Sequence, residues 1–268
     1  MHSNDAPLGI FDSGVGGLTV FGRVAEKLPN ESIIYLGDTA RVPYGTKSAD
    51  TVVRYARSCA ALLLQRGVKM LIVACNTASA YALDALRSEL PVPVIGVIEP
   101  GAQRAVASTR NHCIGVIGTV GTISSGQYLN AIRAISPSTR VVQTPCPLLV
   151  PLAEEGWTDG EVPLQIAKTY LAGLLRDGID TLVLGCTHYP LLKNVLARAV
   201  GPAITLVDSA DATSDAVLAQ LQSRHAQRDS GNPPAYTFLV TDSPEMFARV
   251  GKGFLGDDIQ GVEWVDIQ

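Results

Sequence analysis

The sequence predicts an α/β protein of two pseudo-symmetric lobes, each a mostly parallel sheet covered by helices, with a candidate active site in the cleft between them. Three observations carry that expectation. Short continuous apolar runs alternate with amphipathic stretches along most of the chain, the pattern of parallel strands buried on both faces. One such unit recurs at a fixed offset: RYARSCAALLLQRGVKMLIVAC (54–75) and QIAKTYLAGLLRDGIDTLVLGC (165–186) agree at Ala56/Ala167, Gly67/Gly178, Leu71/Leu182 and Cys75/Cys186. Each copy is an amphipathic helix, a glycine stop, a buried strand and a terminal cysteine, which reads as a duplicated half. Finally, several strands run out into Asp, Ser, Asn, Thr or Gly, at the sheet edge where open α/β folds bind ligands.

Taken in order, strands are expected at 8–11, 33–36, 70–74 and 94–98, separated by helices near 17–28, 49–66 and 78–90. A second series has strands at 114–117, 140–143, 181–184 and 204–207, with helices near 124–135, 161–177 and 190–199. Glu99-Pro100-Gly101 reads as the hinge between the series. A further helix follows Asp208, and 225–235, rich in turn formers, is expected as an exposed loop. The tail from Tyr236 carries two short strands around a helix. We expect it to complete the first lobe, giving residues 1–98 plus 208–268 as one lobe and 99–207 as the other.

The bulk properties exclude several classes. Of 268 residues 47% are hydrophobic and 17% charged, the composition of an ordered globular protein with a substantial core. The net charge is −4 and no Lys/Arg run occurs, so nucleic acid is not expected as the main partner. The polar leader MHSNDAP is not followed by the apolar stretch of a secretion signal, and no apolar run reaches membrane-spanning length. No membrane role is expected. Five cysteines, odd in number and widely spread, fit reduced thiols of a cytoplasmic protein, and no CxxC pair or His/Cys cluster suggests a metal.

Chemistry concentrates at the strand ends. Asp12-Ser13-Gly14-Val15-Gly16-Gly17 is a glycine-rich turn entering a helix, but position 19 is Thr and the dinucleotide fingerprint fails. Asp12 suits an ammonium or hydroxyl ligand, with Ser13 and backbone N–H groups left for a carboxylate. The plainer alternative, that Asp12 and Ser13 cap the helix, stays open. Thr119 is the counterpart of Ser13 in the second lobe, whereas Asp12 has none. Pro43-Tyr44-Gly45 reads as a turn projecting an aromatic hydroxyl, with N–H groups accessible beside Gly45. Asn76, Thr77 and Ser79 supply capping groups for the helix after Cys75, and Asn76, Thr77 and Thr187 offer uncharged donors to a carboxylate.

Two cysteines on opposite walls of one cleft can invert a carbon centre. One, as thiolate, removes a proton from one face while the other, as thiol, returns one to the opposite face. An unperturbed thiol pKa of about 8.5 keeps both forms within reach of neutrality. His188, two residues past Cys186, can stabilise a thiolate or relay its proton. Cys59, Cys113 and Cys146 read as small core residues.

With these residues in view, the chain resembles the bacterial glutamate racemases. GIFDSGVGGLTV, YLGDTARVPYG, ACNTASA, CPLLVPLAEEG and LGCTHYPLL appear in that family's order, within a match covering about 8–221. The resemblance implies cofactor-independent interconversion of L- and D-glutamate, with D-glutamate supplied to peptidoglycan. It assigns Cys75 and Cys186 as the acid/bases and the pairs Asp12 and Ser13, Tyr44 and Gly45, Asn76 and Thr77, Thr187 and His188 to the substrate. It names Asp12, His188 and Glu154 as helpers that tune the thiols, although Glu154 and Glu155 also read as a solvated helix end. It further implies a homodimer. Aspartate racemases of the same superfamily resemble Cys-Thr-Glu at the second motif; Cys186-Thr187-His188 favours glutamate. A non-catalytic amino-acid-binding protein would share the two lobes, but it has no need of two matched cysteines.

Overall fold

The computed structural model describes residues 3–267, so that Met1 and His2 of the leader and Gln268 lie outside it. In the first lobe, β1 (Leu8–Asp12), β2 (Ile33–Gly37), β3 (Met70–Val73) and β4 (Val94–Gly96) alternate with helices α1 (Leu18–Lys27), α2 (Ala49–Gln65) and α3 (Asn76–Glu89). Then α4 (Ile98–Ser108) leads to β5 (Cys113–Gly118), α5 (Val120–Ser124), α6 (Gln127–Ile135), β6 (Arg140–Pro145), α7 (Leu149–Glu154), α8 (Glu161–Arg176), β7 (Thr181–Gly185), α9 (Lys193–Val200) and β8 (Thr205–Asp208). The chain returns through α10 (Ser209–Ser223), β9 (Tyr236–Val240), α11 (Pro244–Leu255) and β10 (Val262–Trp264).

Every strand pairing is parallel, and the strands form two sheets, in the orders β10-β9-β2-β1-β3-β4 and β6-β5-β7-β8. The run β2-β1-β3-β4 is thus repeated strand for strand by β6-β5-β7-β8. In each, the first strand in sequence is flanked by the second and third, which makes the crevice beside it the topological switch point. Both cysteines of the repeat sit there, after β3 and after β7.

Alternation along each strand explains the layers. Leu8, Ile10, Ile33, Tyr35, Met70 and Ile72 face a core with α1, α10 and Phe247 of α11. Phe11, Leu36, Leu71 and Val73 face the opposite core with α2 and α3. In the second sheet Ile117, Leu182 and Leu184 pack on α7, α8 and α9, while Ile114, Val116 and Val183 pack on α4 and α6. The glycine stops are real: Gly67 and Gly178, just past α2 and α8, have φ of +78° and +76°. The tail strands β9 and β10 extend the first sheet beyond β2.

Three expectations are corrected. Glu99-Pro100-Gly101 is no hinge but the first turn of α4, where proline is tolerated because first-turn N–H groups have no intrahelical partner; Gly101 N–H already donates to Val97 O at 3.2 Å. The helix near 124–135 is two, α5 and α6, divided at Gly126 with φ of +69°. The helix at 190–199 begins as a 3-10 turn, Tyr189–Leu192. Among the described residues no helix is long and apolar enough to cross a membrane.

Candidate active site

The C-terminal ends of β1, β3 and β7 and the turn after β5 meet at a cavity of about 310 Å³ between the lobes. The first lobe contributes Ser13, the Val42–Thr46 turn (42–46), Cys75, Asn76 and Thr77; the second contributes Thr119, Val120, Pro147, Val150, Pro151, Glu154, Cys186, Thr187 and His188. Both cysteines therefore line one small cavity, from opposite lobes. Glu154 and His188 are its ionisable side chains besides Tyr44 and the two thiols, and no Lys or Arg lines it. Apart from His188, an anionic ligand would have to be held by neutral donors.

Cys75 is the N-cap of α3: its sulfur accepts the Ala78 N–H at 3.4 Å and lies 3.7 Å from Ser13 Oγ. The cap expected of Asn76, Thr77 and Ser79 is thus made by the cysteine itself, and Ser79 Oγ donates instead to Val73 O at 2.8 Å. Burial, with the Asp12 carboxylate adding to it, pushes the Cys75 thiol up to about 12, against the pull of the helix N–H and Ser13. Cys186 is placed differently. Its sulfur is 3.8 Å from His188 Nδ1, and His188 Nε2 is 2.8 Å from Glu154 Oε1. Burial opposes charge on the ring, but Cys186 and Glu154 outweigh it and push His188 up to about 10.

Asp12 is fully buried and does not line the cavity. Nor does it cap α1, whose N-cap is Gly17 with no side-chain bond. Its Oδ2 accepts the Gly14 N–H at 2.9 Å, while Oδ1 has no hydrogen-bond partner among the described residues. Burial holds the carboxyl above its ordinary range, against His188 and the N–H groups of Gly14 and Gly17. Asn76 is similar: Oδ1 accepts from Tyr128 Oη at 2.7 Å, and Nδ2 is buried without a partner among the described residues. Such a donor costs about 1–3 kcal/mol unless a bound group takes it.

The expected projection of the Tyr44 hydroxyl is not found. Tyr44 is buried, and its hydroxyl donates to Asp38, which Arg41 Nε and Thr241 Oγ1 also reach at 2.7 Å and 3.0 Å. A fully buried carboxylate recruits every donor nearby, so the ring walls the cavity while the hydroxyl turns away. Gly45 is required by close approach, since a Cβ there would lie 2.7 Å from Thr119 Cβ. Thr119, which the sequence marks only as the counterpart of Ser13, and Thr122, passed over there, join Thr77 in a triangle of hydroxyls at 2.9, 3.0 and 3.2 Å that ties the lobes together. The signal for Thr119 was its correspondence with Ser13.

A family model for Asp/Glu/hydantoin racemases matches residues 18–217. A glutamate racemase of Geobacter metallireducens is 54% identical over 261 residues, covering 97% of each chain. The chain belongs to the aspartate/glutamate/hydantoin racemase family. Structural likeness runs the full length of this racemase. A glutamate racemase isoform of Bacillus anthracis superposes with a TM-score of 0.95 at 40% identity, with 98% of both chains covered. A glutamate racemase of Francisella tularensis, in complex with D-glutamate, does so at 0.92 and 39%, again covering 98% of both. As a racemase, the chain must reach both faces of one carbon, and the cavity offers a thiol from each lobe.

Proposed function

We propose that this racemase interconverts L- and D-glutamate by a two-base proton transfer at Cα, with Cys75 and Cys186 as the acid/bases. The observation that carries the reading is the pair of cysteines at equivalent strand ends of two duplicated lobes, both lining one cavity. Full-length relatives named glutamate racemase support the substrate. In one direction a Cys186 thiolate takes the α-hydrogen as a proton and the Cys75 thiol protonates the opposite face; the reverse direction exchanges the roles. The His188 imidazolium, backed by Glu154, is the counter-charge a thiolate at Cys186 needs. Asp12, next to Cys75 but behind the cavity lining, serves that thiol, and meets a substrate ammonium only if the ligand reaches past Ser13. Ser13, the N–H groups at Tyr44 and Gly45, Asn76, Thr77, Thr187 and His188 hold the carboxylates. No cofactor enters this scheme. A cytoplasmic homodimer feeding D-glutamate to peptidoglycan is the setting it fits, and light scattering of the purified protein tests the dimer.

The deciding experiment is circular dichroism of the purified protein with D- or L-glutamate in deuterated water, followed by mass analysis of the α-position. Decay of the optical signal with deuterium entering the product is expected. Response to aspartate alone would move the substrate, and binding without exchange would remove the catalytic reading.

A further inference from the structure

His188 belongs to the second lobe, yet first-lobe residues press on its ring. A Cβ on Gly16, in the turn after β1, would stand 2.5 Å from both Nδ1 and Cε1. Phe254, near the end of α11, meets the imidazole edge to plane, with centroids 5.5 Å apart and rings at 87°. The helix that brings Phe254 there is firmly seated: a Cβ on Gly251 would lie 2.9 Å from Leu18 Cδ1 and 2.5 Å from Ile259 Cδ1.

The two bonds of the imidazole differ in tolerance. Its link to Glu154 is 2.8 Å, a full-strength hydrogen bond, whereas the 3.8 Å approach to Cys186 is near the outer limit for sulfur. A ring free to pivot about Glu154 would lose the sulfur first. The contacts that stop such a pivot come from Gly16 and Phe254.

We propose that Phe254 is a positioning residue for racemisation: its ring fixes the His188 imidazole with Nδ1 toward Cys186 and Nε2 toward Glu154, so that the C-terminal helix of one lobe aligns the acid/base of the other. This rests on the two-cysteine reading above. Phe254 acts on one proton transfer only, because nothing ties it to Cys75. The two enantiomers are equally stable, so kcat/KM must fall equally in both directions, and asymmetry appears in the isotope effects instead.

The test compares the wild-type protein, Phe254→Ala and Phe254→Tyr on L- and D-glutamate deuterated at Cα. Phe254→Ala is expected to lower kcat/KM about tenfold in both directions, with melting temperature little changed. The primary isotope effect should rise for the enantiomer that gives its deuteron to Cys186, and fall for the other, whose transfer becomes less rate-limiting. Asp12→Asn, on the Cys75 side, should diverge in the opposite sense and so label the faces. Phe254→Tyr keeps the ring and should behave as wild type. Equal isotope effects in Phe254→Ala, an undiminished rate, a loss that merely tracks unfolding, or Phe254→Tyr as impaired as Phe254→Ala would each overturn the proposal. A wild-type protein inert toward glutamate would instead strike the underlying reading, before any variant is compared.

Discussion

Cys75 and Cys186 are the same residue in two electrostatic settings. Cys75 sits over a helix N-terminus beside a buried carboxylate, and Cys186 sits beside an imidazole held by a second carboxylate. A serine at either position keeps the size of the side chain but is far too weak an acid to be ionised near neutrality. Cys75→Ser and Cys186→Ser are each expected to cut racemisation by at least about 10³-fold with the far-ultraviolet circular dichroism intact. Either variant racemising at full rate would end the two-base mechanism. His188 carries a second consequence. Its pKa is raised on folding from about 6.5 to about 10, so the stability it contributes is fully present below about pH 6.5 and is lost as the pH climbs through about 10. The stability gap between wild type and His188→Asn in urea denaturation should therefore be widest near pH 6 and close toward about pH 10. A gap that widened with rising pH would mean that the ring is held neutral.

At the scale of elements, the turns decide how side chains meet the cavity. The turn carrying Tyr44 is bound to the tail through Asp38, and the Tyr44 hydroxyl also lies 3.8 Å from Cys59 Sγ of α2, so that hydroxyl is a structural group and only the backbone of the turn is left to meet a ligand. Tyr44→Phe removes one of several donors to a buried carboxylate and should cost about 1–2 kcal/mol in urea denaturation while KM for glutamate changes less than about threefold. A tenfold rise in KM without loss of stability would put the hydroxyl back on the substrate. The same turn shows what the sequence hides. The strands, their parallel order, the duplication and the two cysteines were legible because each depends on periodicity or on spacing between equivalent units. The Asp38 network was not, because Thr241 joins it from 203 residues away. Proline misled at position 100, where a residue that usually breaks helices sits harmlessly in a first turn. The Cys75 cap was invisible because sulfur rarely takes that place.

For the whole molecule, the open question is what the tail is for, since the family match ends at residue 217 and every cavity-lining residue precedes it. A chain ending at Arg224 would keep both cysteines, His188, Glu154 and the complete second sheet. It would lose β9, which pairs with β2 along its whole length from Ile33 to Gly37, and so expose the edge of a strand with Ile33, Tyr35 and Leu36 fully buried. It would also strip Phe238, Val240 and Phe247 from the core that holds α1, and Thr241 from Asp38. Loss of this much buried apolar surface outweighs the marginal stability of a domain of this size. The truncated chain is expected to be collapsed but unpacked, binding a hydrophobic dye, lacking near-ultraviolet dichroism and inactive toward glutamate. If it folded and racemised glutamate normally, the tail would be an appendage, and the alignment of His188 would have to come from Gly16 and the second lobe without Phe254.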